Sequence, residues 1–159
     1  MPGAIKDPAN DDAKYMARCL ELAASAAAVG EVPVGALVVQ EGQILGVGRN
    51  RCEELTDPLA HAEMEALAAA LASVGEGRLP EAVLYCSLEP CFMCTGALLH
   101  ARVSRIVYGA RDPKFGACGS LANLPNDQRL NHRCPVTEGV LADASADLLR
   151  EFFQRLRKS

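Results

Sequence analysis

Apolar residues recur at helical spacing from Ala13 to Val29, at Met16, Cys19, Leu20, Ala23, Ala24 and Ala27, and Gly30 follows as a stop. Asn10 to Asp12 offer caps for this helix. Residues 1–10, with Pro2, Gly3, Pro8 and Asn10, read as a loose arm before it. "VGALVVQ" (34–40) and "QILGVGRN" (43–50) are rich in β-branched residues and flank Glu41-Gly42, which predicts a hairpin. A helix from about Leu59 to Ser73 follows, closed by Gly75 and Gly77. "AVLYCSL" (82–88) and "RIVYGA" (105–110) are short apolar strands on either side of a second short helix, Pro90 to His100. Residues 111–135 read as a long loop, "VTEGVL" (136–141) as a last strand, and Ala142 to Arg157 as a terminal helix. The order is α-β-β-α-β-α-β-loop-β-α. Strands apolar on both faces and alternating with helices imply a sheet buried between two helical layers, an α/β fold in three layers, α/β/α.

The length of 159 residues suits one domain, 1–159, and half of the residues are hydrophobic, as in globular chains. No apolar run reaches the roughly 18 residues of a membrane span. "MPGAIKDPANDD" has no apolar segment after a basic start, so a cytoplasmic location is expected. Seven cysteines are many for such a chain, but the number is odd and the chain is no small secreted scaffold. Metal binding is therefore the first reading for some of them. Residues 1–99 hold 6 Lys/Arg against 14 Asp/Glu, whereas residues 100–159 hold 10 against 6. A basic C-terminal part on an acidic chain permits a local anionic partner, although a merely asymmetric solvated surface has the same signature.

Two helix starts carry the chemistry. In "TDPLAHAE", Asp57 suits the N-cap and Pro58 the first helical position, which puts His61 and Glu63 in or near the first turn. In "LEPCFMC", Pro90 takes the first position, and Cys91 and Cys94, three apart, share a face. A helix N-terminus lowers thiol pKa, and the thiolate is the metal-binding form. One histidine and two cysteines are three ligands for zinc. A fourth position left to water is the pattern of a catalytic site and not a structural one. Such a water needs a proton carrier, and Glu63 fits that role. A four-cysteine structural site is the specific rival, but Cys19, Cys52, Cys86, Cys118 and Cys134 form no second close pair and read as small packing residues. Cys118 falls in the long loop, where exposure to oxidants is expected.

The combined pattern His-x-Glu … Pro-Cys-x-x-Cys is the zinc deaminase signature. From about residue 13 to 157 the chain resembles the bacterial tRNA-specific adenosine deaminases of the TadA type. The matching stretches are "EVPVGA" (31–36), "DPLAHAE" (57–63), "SLEPCFMCTGALLHAR" (87–102), "YGARDPKFGACGSL" (108–121), "LNHR" (130–133) and "TEGVLAD" (137–143). The first three fit many cytidine-deaminase-like enzymes, whereas "GARDPK", "NHR" and "FFQRLRK" favour the tRNA enzymes.

The resemblance implies a cytidine deaminase-like fold with a five-stranded mixed sheet, a homodimer, and one Zn2+ per subunit held by His61, Cys91 and Cys94. It implies that Glu63 shuttles protons while the wobble adenosine of an anticodon becomes inosine and ammonia leaves. Asn50 would contact the base and the Ala62 backbone would line its pocket. Arg111, Asp112 and Lys114 would face the anticodon stem-loop, with Arg and Lys suited to phosphate and Asp to a sugar hydroxyl, so RNA and not DNA is the expected partner. Asn131 and His132 would meet flanking nucleotides. Phe153 and Arg157, four apart on the last helix, would meet splayed bases, while Phe152 or Phe153 packs on the core. Two other readings stay open: a deaminase of a free base or nucleoside (guanine, cytosine or cytidine) on the same site, and a structural-zinc RNA-binding module without catalysis.

Overall fold

The computed structural model describes residues 8–158. Its elements run α1 (Pro8–Ala28), β1 (Gly35–Gln40), β2 (Gln43–Arg49), α2 (Cys52–Leu55), α3 (Ala62–Val74), β3 (Val83–Leu88), α4 (Phe92–His100), β4 (Arg105–Ala110), a 3-10 turn (Leu124–Asn126), β5 (Val136–Thr137) and α5 (Ala142–Lys158). The sheet has five strands in the order β2-β1-β3-β4-β5. β1 is antiparallel to both β2 and β3, whereas β3, β4 and β5 run parallel.

The alternation along each strand explains the layers. Ala36 and Val38 of β1, Leu84 and Cys86 of β3, and Ile106 and Tyr108 of β4 face α3 and α4 in one core cluster. Their neighbours Leu37 and Val39, Tyr85, and Val107 face Tyr15, Met16 and Cys19 of α1 in a second cluster. α5 lies beside α1 on that second face and packs on β3 and β4. Both faces of the central strands are therefore buried, as their near-continuous apolar runs require. The β1–β2 hairpin turns through Glu41 (φ 49) and Gly42 (φ 77), two left-handed residues in a row, which matches the right-handed twist of the flanking strands.

The expected element order holds, and the differences lie at ends and in loops. The described part of α1 begins at Pro8, so Asn10 to Asp12 fall within the helix and not ahead of it; residues 1–7 of the expected arm lie outside the described residues. Asp12 instead reaches β3 and β4: its carboxylate accepts hydrogen bonds from Tyr85 Oη at 2.7 Å and from both terminal nitrogens of Arg105 at 2.9 Å. Arg105 lies 93 residues away in the chain, a partner that local capping chemistry does not suggest. The last strand is shorter than "VTEGVL": β5 spans Val136–Thr137, and at the Gly139 turn (φ 82) the N–H groups of Gly139 and Val140 still donate to Gly109 O and Tyr108 O at 3.2 Å. A short helix, α2, interrupts the segment between β2 and α3. Cys118, expected in the open, is buried at 3 % exposure with its Sγ 3.3 Å from Thr95 Oγ1.

The directions of the strands decide where a site can form. The C-terminal ends of β2, β3 and β4 and the N-terminal end of β1 all meet one edge of the sheet. Ala36 pairs with Cys86 there, and Leu88 with Ala110. Crevices beyond the carboxyl ends of parallel strands are the usual binding places of α/β sheets.

Candidate active site

At that edge the segments after β2, β3 and β4 and the start of α3 enclose a cavity of about 670 Å³. The starts of α3 and α4 supply its chemistry in a way that sequence spacing does not show. The N-cap of α3 is His61, not Asp57, and the N-cap of α4 is Cys91, with Pro90 before it. The His61 side chain makes no cap hydrogen bond to α3, and Cys91 serves its helix only through Cys94, a member of the same donor set. Asp57 closes a local turn instead, its Oδ1 accepting from Leu59 N at 2.9 Å. The capping positions are thus occupied by His61 and Cys91, whose side chains turn toward each other across the cavity floor.

His61 Nδ1 lies 3.6 Å from Cys91 Sγ and 3.5 Å from Cys94 Sγ. The three donor atoms lie within 4.8 Å of one another, and among the described residues no other group of three such donors converges. Tetrahedral zinc with its usual Zn–N and Zn–S lengths puts a nitrogen and a sulfur ligand about 3.6 Å apart. The donors present therefore fit zinc in kind and in spacing. Hydrogen bonds from Cys94 and His61 hold the Cys91 thiol down to about 4 against the opposing effect of burial. Cys94, which donates to Cys91 and is buried, is pushed up.

Glu63 is buried at 4 % exposure in the first turn of α3, among residues that line the cavity. Burial raises its carboxyl above the ordinary range, with the Cys91 charge in the same direction and His61 opposing. Asn50, just past β2, turns its Oδ1 onto the Ala62 N–H at 2.9 Å. This bond ties the end of β2 to the first turn of α3 and aims the Asn50 amide N–H groups elsewhere. Arg111, Asp112 and Lys114 all line the cavity, together with Phe115, Leu149 and Phe153. Arg111 is engaged by Glu138, its Nη2 3.0 Å from both carboxylate oxygens, and Tyr108 Oη donates to the same carboxylate at 2.9 Å. Asp112 Oδ1 accepts the N–H groups of Lys114 and Phe115. Of the two adjacent rings on α5, Phe152 is buried and Phe153 is 42 % exposed.

Three expected contacts are not brought to the cavity within this chain. His132 Nε2 lies 2.9 Å from the Val103 carbonyl, at the opposite end of β4. Asn131 is exposed beside it, and Arg157 is exposed at the end of α5. Conversely, two buried carboxylates in the cavity wall, Glu31 and Glu89, belong to no motif that marks them in the sequence. Glu31 accepts the N–H groups of Glu53 and Glu54 and so holds α2 in place. Glu89 holds the segment after β4. Their only sequence signal is an acidic residue in an apolar setting, Glu31-Val-Pro-Val and Leu-Glu89-Pro-Cys.

Known proteins resemble this chain over most of its length. The MafB19-like deaminase family model matches residues 10–157. The tRNA-specific adenosine deaminase of Haemophilus influenzae is 44 % identical over 156 residues, 98 % of this chain and 90 % of that protein. The chain belongs to the tRNA-specific adenosine deaminase family. The Bacillus subtilis member is 42 % identical over 92 % of this chain and 91 % of its own. A solved structure from a study of A-to-I editing by tRNA:A34 deaminases at the wobble position superposes with a TM-score of 0.82 and 40 % identity, covering 86 % of this chain and 99 % of that one. A guanine deaminase from Nitrosomonas europaea shares the fold more distantly, with a TM-score of 0.75 and 29 % identity over 96 % of this chain and 87 % of that one. The five-stranded mixed sheet between helices is the cytidine deaminase-like architecture expected from the sequence. Among the described residues no helix is long and apolar enough to cross a membrane.

Proposed function

We propose that the chain hydrolyses the wobble adenosine of a tRNA anticodon to inosine and ammonia. The observation that carries this reading is one cavity with a buried carboxyl beside a His-Cys-Cys donor set on its floor and cations and exposed rings on its wall. Full-length likeness to tRNA-specific adenosine deaminases supports the choice of substrate.

Zinc, held by His61, Cys91 and Cys94, would supply the acidity that makes water a nucleophile at neutral pH. Glu63 takes the proton of the attacking water on its carboxylate and passes it to N1 of the ring. It then carries the second proton to the amino group leaving C6, so that adenosine and water give inosine and ammonia. A carboxyl whose affinity for protons is raised by burial suits both transfers. Asn50, its Oδ1 held by Ala62, offers its N–H groups to acceptor nitrogens of the purine, and the Ala62 backbone fixes the base pocket. Phe153, and Phe115 at 64 % exposure, present faces on which unpaired loop bases stack. Lys114 and Arg111 meet phosphate, Arg111 after exchanging Glu138 for it. Asp112 has one oxygen engaged by its own turn and offers the other to a ribose hydroxyl, which DNA lacks. Asn131, His132 and Arg157 contact RNA outside the cavity, across the surface or from the second subunit of a homodimer; an active monomer in sedimentation would overturn that dimer.

The test compares the purified, metal-loaded protein on an anticodon stem-loop with adenosine at the wobble position and on free adenosine, adenine, guanine, cytosine and cytidine. Inosine formed in the stem-loop alone is expected. Ammonia released from a free base alone would overturn the substrate and leave the site chemistry in place.

A further inference from the structure

The buried Glu89 has no part in the proton transfers above, yet it is the hub of the cavity wall. It sits between the end of β3 and Cys91, 2 % exposed, with its own N–H donating to Ala110 at 2.8 Å. Its carboxylate accepts from Asp112 N, Cys118 N and Ser120 N, each at 3.0 Å, and from the Ser120 hydroxyl. Among the described residues no arginine or lysine pairs with it. Its four partners are N–H and O–H groups of one segment, residues 112–120, which curls around the carboxylate. The curl is so close at Gly116 that an added Cβ would lie 2.3 Å from the carboxyl carbon. Gly116 is also bridged to Cys91, and Ala117 N donates to Pro90 O at 2.9 Å. One side chain thus shapes the turn that presents Asp112, Lys114 and Phe115 to the cavity.

We propose that Glu89 is a positioning residue for the RNA: it holds the 112–120 wall in register with the donor set and thereby sets substrate affinity and not the chemical step. This inference rests on the tRNA reading of the cavity. The physical reason is the count of acceptors. Two carboxylate oxygens receive four donors, whereas a glutamine of the same shape keeps one oxygen and turns an NH2 group toward N–H groups that need an acceptor. The wall then loses its side-chain anchor, while His61, Cys91 and Cys94 keep their contacts with one another and the wall keeps its backbone bonds to Pro90 and Cys91.

The experiment compares the metal-loaded parent, Glu89→Gln and the milder Ser120→Ala. It measures zinc content, KM and kcat on the anticodon stem-loop, and amide hydrogen exchange at residues 112–120. For Glu89→Gln, KM rises about ten-fold or more, kcat stays within about three-fold, zinc stays at about one per chain, and the amides of residues 112, 118 and 120 exchange faster. Ser120→Ala shifts KM and exchange in the same direction by less. Unchanged KM in both variants, or a fall in kcat together with loss of zinc, would overturn the proposal. If Glu89→Gln does not fold, unchanged exchange and KM in Ser120→Ala overturns it alone. A parent inactive on the stem-loop refutes the tRNA reading instead, and the exchange comparison still decides whether Glu89 anchors the wall.

Discussion

Replacing Gly48 by alanine tests whether the site depends on how closely α3 lies on the sheet. Gly46 and Gly48 are on β2 and face α3. A Cβ at Gly48 would stand 2.2 Å from Ala62 O and 2.6 Å from Ala66 N; at Gly46 it would stand 2.2 Å from Ala66 O and 2.8 Å from Ala70 N. Ordinary contact begins at 3.4 Å, so each substitution must separate strand and helix by about 1.2 Å. Overpacking of this kind costs about 1–3 kcal/mol, a fall in Tm of about 2–12 °C for a domain of this size. The two sites differ in what the displaced turn carries. At Gly48 it is the turn of Ala62, which holds the Asn50 bond and lies between His61 and Glu63. At Gly46 it is one turn further on. A displacement of about 1 Å in catalytic groups costs about a hundred-fold in rate. Gly48→Ala is therefore expected to lose about a hundred-fold in kcat/KM and some zinc, and Gly46→Ala to lose similar stability with a much smaller activity loss. Thermal melts, metal analysis and stem-loop kinetics on both variants are the assay. Equal activity in the two variants, or an unchanged Tm in both, would refute the reasoning.

Glu63→Ala should lower turnover by at least about 10²–10⁴-fold while zinc stays near one per chain, because in the proposed mechanism the carboxyl moves protons and is no ligand; metal analysis beside single-turnover rates checks it. Lys114→Ala should weaken stem-loop binding and reduce the dependence of log K on log salt by about one, whereas Glu138→Gln, which releases Arg111, should strengthen binding and steepen that slope; titrations at several salt concentrations decide. Asp12→Asn should cost about 1–3 kcal/mol and flatten the acid limb of stability. Burial opposes ionisation of Asp12, but hydrogen bonds from Arg105 and Tyr85 hold its carboxyl below the ordinary range. Its contribution is thus complete above the unfolded value near about 3.9 and is lost as pH falls through the lower folded value. Melts of both proteins from about pH 6 to pH 2 should converge at the acid end; a constant gap would contradict the linkage.

How legible the chain was differs from element to element. β4 is read to the residue, Arg105–Ala110, because a short apolar run between a surface loop and a glycine-rich one has few other uses. The helix starts depart from their capping signals where the cap belongs to the His-Cys-Cys donor set. Asp57 and Pro58 look like a helix start, but that chemistry belongs to a turn, and α3 begins only at Ala62 because His61 faces Cys91 and Cys94. Cys118 departs from its expected exposure for a related reason: a loop is open to solvent by default, and this one is folded around a buried carboxylate. Asn50 and Phe153 were legible only through the resemblance, since neither residue type has a meaning fixed by spacing.

The sequence by itself determined the chemistry and the layers. His61, Glu63, Cys91 and Cys94 have side chains whose donor and acid-base character survives in any fold, and apolar periodicity is a local property that a strand or helix carries with it. Tertiary structure alone decided the wall. Glu31 meets the N–H groups of α2 from 22 residues away, Glu89 gathers donors up to 31 residues further on, and Arg111 finds Glu138 across 27. Such bonds depend on which strands neighbour each other and on their direction. In the β2-β1-β3-β4-β5 order, one antiparallel strand between parallel neighbours brings three strand ends and one strand start to a single edge. That order is a global outcome of burying both faces of the sheet, and no local stretch of the chain encodes it.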